Sequence, residues 1–257
     1  MNGLRGRSVV ITRSRAQATP FAHALAARGA IPVLFPTIDV RPLDDCTALD
    51  RVLTGVDQYD WIVFTSSNAV TTVWERLGVL GQTTLPAAAR IAAIGPATAR
   101  ALAQRGAPIG AMPTDFRGAA IAGALGDLRG RRVLLPRADI GREETAEALR
   151  EAGALVEEVI AYHTTPAAPD PAGLAALRGK VDAVTFTSPS TVRNFVTLVG
   201  PGAPALLARS LVACIGPVTA AAVTELGLTP PLQAPRSTSE ALLDVLEAHF
   251  TPHMERA

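Results

Sequence analysis

Polar residues that could bind an anion follow several short apolar runs, each at the point where the run ends and a helix pattern begins. Serine, threonine and asparagine at such points cap the free N–H groups of a helix start, and the same N–H groups attract anions. Glycine followed by proline allows a close backbone approach and begins a helix well. The candidate ligand-binding residues of this kind are Thr12, Arg13, Ser66, Asn68, Gly95, Thr98, Arg137, Ser188, Ser190, Gly216 and Thr219.

Each of these turns, taken alone, also has a purely structural interpretation, because such caps are routine in α/β proteins. Four such turns in one chain favour anion binding. Arg13 and Arg137 end two similar runs, and Arg15 and Arg142 lie just beyond them. An arginine there could grip a carboxylate through two parallel hydrogen bonds, although a solvated loop arginine is equally ordinary.

Tyr162 is the candidate for proton chemistry. It follows the apolar run Val156–Ala161 and is one of only two tyrosines in the chain. Its hydroxyl could hydrogen-bond a substrate or act as a weak general acid, and packing of the ring in an interface is the alternative. No histidine pair has metal-ligand spacing, and no phosphate loop, dinucleotide fingerprint or nucleophile elbow occurs. We therefore expect no metal and no nucleotide cofactor.

Three blocks of sequence occur twice in the same order. LRGRSVVITR from Leu4 returns as LRGRRVLLPR from Leu128, an offset of 124 residues. DWIVFTSSNAV from Asp60 returns as DAVTFTSPSTV from Asp182, an offset of 122, and RIAAIGPATARALAQRG returns as LVACIGPVTAAAVTELG at an offset of 121. The chain is therefore predicted to contain two copies of one α/β unit.

The apolar runs are continuous rather than alternating, which indicates parallel strands covered by helices on both faces. Ala-rich helix patterns that stop at a glycine follow several of them. The fold class predicted is α/β, with two doubly wound parallel-sheet domains of the flavodoxin-like kind related by internal duplication. The predicted strands are Val9–Ile11, Pro32–Phe35, Trp61–Phe64, Ile91–Ile94, Val133–Leu135, Val184–Phe186 and Val212–Ile215.

The bulk composition excludes several classes of protein. The 257 residues are 48% hydrophobic and 18% charged with a net charge of +1, which allows a packed core and offers no basic stripe for nucleic acid. No run is long enough for a membrane span or a signal peptide. Cys46 and Cys214 lie far apart without ligand spacing, so we expect reduced cysteines in a cytoplasmic protein.

Two domain arrangements fit the repeat. A tandem cut near Gly126 is one, and pairing of the first strand–helix–strand with the last third of the chain is the other. In the second arrangement, the chain passes from one domain to the other within the proline-containing segments 36–42 and 162–171, which are the crossing points.

The ordered segments VVITR, FTSSNAV, AAIGPATARALAQRG, VEEVIAYHTTP, FTSPSTV and CIGPVTA resemble the uroporphyrinogen-III synthase family from about Leu4 to Leu246. The resemblance implies two flavodoxin-like domains joined by a two-stranded linker. One domain would hold residues 1–36 and 168–257, the other residues 43–161, with linkers 37–42 and 162–167. It implies a lyase that closes the linear tetrapyrrole hydroxymethylbilane with inversion of ring D and loss of water, using no cofactor or metal.

The resemblance also assigns roles to residues. Tyr162 falls on the tyrosine proposed in the family to assist departure of the substrate hydroxyl, although Ala161 before it departs from the family pattern. Thr219 falls on a threonine of the Ile-Gly-Pro motif, and Val218 stands where some members have a second threonine. A substrate with many carboxylates would need backbone N–H groups and arginines, and a wide cleft between two domains would suit its size. Catalysis would consist mainly of positioning.

Two other functions remain open at this point. A non-catalytic two-domain anion binder would share the duplicated turns. A regulatory protein that binds a partner would show an exposed apolar patch or a charge run, and the sequence has neither. We expect a monomer that binds neither nucleic acid nor membrane.

Overall fold

The chain forms two compact units in the computed structural model, which describes residues 3–86, 89–115, 118–141, 143–228 and 231–251. Unit 1 contains Met1–Asp39 and Thr165–Ala257, and unit 2 contains Val40–Thr164. The strands are β1 Ser8–Ile11, β2 Ile31–Leu34, β3 Ile38–Arg41, β4 Trp61–Phe64, β5 Arg90–Ala93, β6 Arg132–Ala138, β7 Leu155–Pro166, β8 Ala183–Phe186, β9 Leu211–Cys214 and β10 Leu232–Gln233. The α-helices are α1 Arg15–Ala27, α2 Thr47–Thr54, α3 Ser67–Val79, α4 Pro96–Ala103, α5 Ile121–Leu125, α6 Glu144–Glu151, α7 Pro171–Leu177, α8 Pro189–Val199, α9 Ala203–Ala208, α10 Pro217–Glu225 and α11 Ser239–Phe250.

Unit 1 contains a five-stranded sheet in the order β10-β9-β8-β1-β2, whose paired strands are parallel. Its core lies on both faces, because successive strand side chains point to opposite sides. Val10 packs in one cluster with Phe195 of α8, and Val9 and Ile11 pack in another with Phe21 of α1. This double covering is the physical reason for the continuous apolar runs.

Unit 2 contains a second five-stranded sheet in the order β3-β7-β6-β4-β5. The pairs β4–β5, β4–β6 and β6–β7 are parallel. The residues of β4 again divide between two clusters, with Ile62 and Phe64 on one face and Trp61 and Val63 on the other. The fold is therefore α/β with parallel sheets, as the apolar runs predicted.

All seven predicted strands are present, with ends that differ by three residues at most. The β4 bounds agree fully with the prediction, whereas β2 begins and ends one residue earlier than predicted. β2 also departs from the prediction of strands buried on both faces: Ile31 is 56% exposed and Leu34 is 39% exposed. The reason is position, because β2 is an edge strand of its sheet.

Two aspartates at repeat-equivalent positions fasten neighbouring strands. In unit 1, Asp182 before β8 accepts a hydrogen bond of 2.9 Å from the backbone N–H of Ser8, which begins β1. In unit 2, Asp60 before β4 accepts one of 2.9 Å from the backbone N–H of Arg132, which begins β6. The two units thus hold corresponding strands with the same contact.

The two cysteines should differ strongly in reactivity. Cys214 is fully buried, and burial raises the pKa of its thiol to about 12, so the reactive thiolate is almost absent at neutral pH. Cys46 is only partly buried. We expect a thiol reagent such as dithionitrobenzoate to label one cysteine in the folded protein and both after denaturation. Fast labelling of Cys214 in the folded state, identified by peptide mapping, would contradict this.

Within the described ranges, no helix is both long enough and apolar enough to cross a membrane.

Candidate active site

The carboxyl ends of β4, β6 and β7 lie at one edge of the unit 2 sheet, because these neighbouring strands are parallel. Ligands of open α/β sheets bind at this edge. Three of the residues singled out from the sequence come together here, because Tyr162 contacts both Ser66 and Asn68. The Tyr162 hydroxyl lies 2.9 Å from Ser66 Oγ, and the Asn68 side chain also hydrogen-bonds that hydroxyl.

A β-bulge in β7 determines which way Tyr162 faces. Arg137 pairs with Ile160 but the next residue, Ala138, pairs with Tyr162, so β7 holds one extra residue at this point. In a regular strand, Ala161 and Tyr162 would point to opposite faces of the sheet. With the extra residue, both pack in the same core cluster. Bulges often redirect a side chain next to an active site, and this one brings Tyr162 to Ser66.

The Tyr162 phenol keeps its proton at neutral pH. The side chain is 6% exposed, and burial raises the pKa of its hydroxyl above the ordinary value. The hydrogen bonds with Ser66 and Asn68 lower this pKa without cancelling the effect of burial. A phenol in this state can donate a hydrogen bond or a proton to a ligand.

Ser66 has two contacts at once. It is the N-cap of α3, and its Oγ accepts a hydrogen bond of 3.1 Å from the backbone N–H of Ala69. The structural interpretation of this turn is therefore correct. The same Oγ also contacts Tyr162, which simple capping does not require.

Asp139 belongs to the same edge and was missed from the sequence. It follows β6 directly, and its Oδ2 lies 2.8 Å from His163 Nδ1. Burial raises the pKa of the carboxyl, but hydrogen bonds from the backbone N–H of Thr164 and from His163 outweigh burial and hold it below the ordinary value. Its position directly after a strand was the available signal.

Arg13, in unit 1, is a buried cation. The side chain is 8% exposed, its guanidinium lies 4.4 Å from the centre of the Phe21 ring, and Nη1 donates to Ser239 Oγ at 3.0 Å. Burial lowers the pKa of the guanidinium to about 10, so it remains charged at neutral pH. In the described part of the chain, Nη2 has no hydrogen-bond partner, and neither does the buried Oγ of Ser14 next to it.

Arg137, the equivalent residue of unit 2, is already paired. Its Nε lies 2.6 Å from Oε2 of Glu158 on the neighbouring strand β7, and Glu158 also pairs with Arg150 at 2.7 Å. The strand registers make Leu34 the unit 1 counterpart of Glu158, since Ile11 pairs with Leu34 as Leu135 pairs with Glu158. Unit 1 therefore has an apolar residue where unit 2 has the counter-ion.

The turn after β8 is mainly a helix cap. Ser188 Oγ accepts from the backbone N–H of Thr191 at 3.3 Å and lies 2.8 Å from Ser190 Oγ. The Thr191 hydroxyl accepts in return from the backbone N–H of Thr187 and Ser188. Thr12 is likewise engaged, because its buried hydroxyl donates to the carbonyl of Thr185 at 2.7 Å.

The two glycine–proline turns leave their helix starts open. Gly95 and Gly216 are the N-caps of α4 and α10 and provide no side-chain cap. The first-turn N–H groups of a helix have no acceptor within the helix, so they can bind an anion. Thr98 and Thr219, in these first turns, are both 4% exposed.

Arg15 and Arg142 lie in the sequence just beyond Arg13 and Arg137. The Arg15 side chain is 73% exposed and lies 3.4 Å from Asp170, and Arg142 lies outside the described residues. Across the described ranges, no three His, Cys, Asp or Glu side chains form a group that could hold a metal ion.

The parallel sheets, covered by helices, define an α/β protein, a class in which ligands bind beyond the carboxyl ends of the strands. The family model described as uroporphyrinogen-III synthase HemD matches residues 19–244. The chain is 32% identical over 256 residues to the uroporphyrinogen-III synthase of Synechococcus elongatus, covering 95% of this chain and 96% of that protein. The chain belongs to the uroporphyrinogen-III synthase family and is an enzyme of that family.

Other relatives agree with this assignment. The uroporphyrinogen-III synthase of Chlorobaculum parvum is 27% identical over 235 residues, covering 86% of this chain and 90% of that protein. The structure of the synthetase from Helicobacter pylori superposes with a TM-score of 0.62 at 19% identity, covering 95% of this chain and 99% of that one. A mutant synthase from Thermus thermophilus gives 0.61 at 24% identity, with 95% and 97% covered. At these identities the two structures show a shared fold.

Proposed function

We propose that the protein closes hydroxymethylbilane to uroporphyrinogen III, with inversion of ring D and release of one water. The observation that carries this proposal beyond family membership is the protonated Tyr162 phenol at the carboxyl edge of a parallel sheet. Ser66 and Asn68, at the start of α3, hold its hydroxyl there. A phenol in that place suits a reaction that begins with loss of a hydroxyl group.

The Tyr162 O–H donates its proton to the substrate hydroxyl, the C–O bond breaks with both electrons on oxygen, and water departs. A cationic azafulvene carbon remains on ring A and a phenolate at Tyr162. The substituted carbon of ring D forms the new C–C bond as a spiro intermediate. The proton lost when the rearrangement ends restores the phenol.

The carboxylates of the substrate need cations and N–H donors. We propose that Arg13 binds one of them, because it is a buried cation to which the described chain offers no acid partner. The first turns of α4 and α10, after Gly95 and Gly216, supply further donors together with Thr98 and Thr219. Arg137 contributes less, since it already forms an ion pair with Glu158. The turn that contains Ser188 and Ser190 binds substrate carboxylates mainly through backbone N–H groups. A loss of more than about a thousandfold in Ser188→Ala would contradict this role.

We propose that the two units are duplicated flavodoxin-like domains. Counted within unit 1, the strand order is 2-1-3-4-5, the flavodoxin order. The repeated blocks contain β1, β8 and β9 in unit 1 and β6, β4 and β5 in unit 2, and both sets are adjacent in the same order. The neighbouring strands β3 and β7 contain the two crossing points and suit a two-stranded linker within residues 37–42 and 162–167.

The function is tested by supplying hydroxymethylbilane to the purified protein without added metal or nucleotide, and separating the product isomers after oxidation. We expect mostly the type III isomer, at a rate far above that of the protein-free control. Only type I at the uncatalysed rate, from protein with a folded circular dichroism spectrum, would contradict the enzyme and favour the two-domain anion binder. Light scattering on the same sample tests our proposal of a monomer, and fractionation tests that of a cytoplasmic location.

A further inference from the structure

The first turn of α3 holds the Tyr162 hydroxyl from two positions. Ser66 is the N-cap of α3 and Asn68 is the second residue of the helix. Both side chains hydrogen-bond the same phenol oxygen, Ser66 at 2.9 Å. One tyrosine oxygen thus contacts two side chains of a single turn that lies almost a hundred residues earlier in the chain.

The direction of these bonds decides what the phenol can do. A tyrosine oxygen can accept hydrogen bonds and has one hydrogen to donate. Ser66 Oγ already accepts the N–H of Ala69, so its own hydrogen remains available for Tyr162. The Asn68 amide also has hydrogens to donate. With Ser66 and Asn68 as donors, the single Tyr162 hydrogen is available to a third group.

We propose that Ser66 and Asn68 are positioning residues, which donate to the Tyr162 oxygen and so direct its O–H to the hydroxyl group that leaves the substrate. The inference rests on the proposed function, in which Tyr162 supplies that proton. When the proton is transferred, the two donors and the positive end of the α3 dipole face the new phenolate and stabilise it.

The equivalent turn of unit 1 provides a natural comparison. Ser188 stands 122 residues after Ser66, caps α8 in the same way, and contacts Ser190 where unit 2 has Asn68. Among the described residues, Ser188 hydrogen-bonds Ser190 and Thr191 but no tyrosine. Capping alone therefore requires a serine at both places, whereas the contact with a tyrosine occurs only at Ser66.

The activity test compares Ser66→Ala with Thr238→Ala, which removes the capping hydroxyl of α11, where Thr238 Oγ1 accepts from the backbone N–H of Ala241 at 3.1 Å. We expect kcat to fall about tenfold in Ser66→Ala with little change in KM, since a donor to the transition-state charge is lost. Thr238→Ala loses only a helix cap and should keep kcat within about twofold. Ser66→Thr, which keeps the hydroxyl, should restore most of the activity. Equal losses in the two alanine variants would overturn the positioning role.

A titration tests the contact without using activity. In a Tyr59→Phe background, Tyr162 is the only tyrosine, so fluorotyrosine incorporated biosynthetically reports that position alone by fluorine NMR. The fluorinated phenol is more acidic, which keeps the titration in a milder pH range. We expect Ser66→Ala to raise the pKa of Tyr162, since one donor that lowers it is removed, and Ser188→Ala to leave it unchanged. No shift in Ser66→Ala would overturn the inference.

The two readouts separate the inference from the proposed function. If the titration shifts as expected but Tyr162→Phe keeps full type III activity, the acid role of Tyr162 fails and the positioning role fails with it. If Tyr162→Phe loses activity and the titration does not respond to Ser66→Ala, the proposed function stands and the inference about Ser66 is wrong.

Discussion

Replacing Tyr162 with phenylalanine should lower kcat by about a hundredfold, the lower range for loss of a general acid, while KM changes little. The ring packs in the core of unit 2 and is retained in the variant, so only the hydroxyl and its contacts with Ser66 and Asn68 are lost. Positioning of the substrate would survive, and so would part of the rate. Steady-state kinetics with hydroxymethylbilane, together with the ratio of type III to type I product, measures the effect.

The matched control is Tyr59→Phe. Tyr59 lies in the same core cluster and its hydroxyl bonds Glu157. It precedes β4, away from the carboxyl edge, so loss of this hydroxyl should leave kcat unchanged. A Tyr162→Phe enzyme within threefold of the parent would show that the leaving group departs without a protein acid, and that orientation alone accounts for the rate.

The pH profile provides a further check on the same residue. Because burial raises the pKa of Tyr162 above its ordinary value of about 10, the phenol remains protonated through neutral and mildly alkaline pH. Deprotonation of Tyr162 should therefore not reduce kcat in that range. A decline near neutral pH that disappears in Tyr162→Phe would contradict the assignment.

The parallel sheets could be predicted from the sequence because doubly covered strands require unbroken apolar runs. The repeated blocks of the sequence fall on β1 and β6 and on β4 and β8, and each block lies in a parallel strand of its sheet. Whether a strand is buried on both faces was less predictable. β2 shows why: it is apolar in sequence but exposed at an edge, and edge position is a property of the sheet rather than of the segment.

The contacts of the candidate site could not be predicted, because they depend on register. Tyr162 reaches Ser66 only through the extra residue in β7, and no local pattern marks that bulge. Arg13 and Arg137 look equivalent in the sequence, yet their surroundings differ through Leu34 and Glu158 on the neighbouring strands. The difference is decided by pairing between distant segments, and within the described residues it leaves Arg13 as a buried cation without an acid partner.

Replacing Arg13 with methionine should raise KM about tenfold or more, the loss expected for one hydrogen bond to a charged group, and leave kcat much less affected. Burial of a cation without an acid partner is costly, and an apolar side chain of similar length in its place is often neutral or stabilising. Methionine also keeps a contact with the Phe21 ring. We therefore expect an unfolding temperature equal to or above that of the parent, measured by calorimetry, together with weaker substrate binding.

The same substitution at Arg137 should reduce stability rather than substrate binding. Its guanidinium is paired with Glu158, so Arg137→Met leaves that carboxylate with Arg150 as its other partner and should lower the unfolding temperature while KM changes little. A stable Arg13→Met with weak binding would mean that the fold tolerates an unpaired cation because a substrate carboxylate pairs with it. An Arg13→Met protein that unfolds several degrees earlier and binds normally would instead make Arg13 a structural link between Phe21 and Ser239.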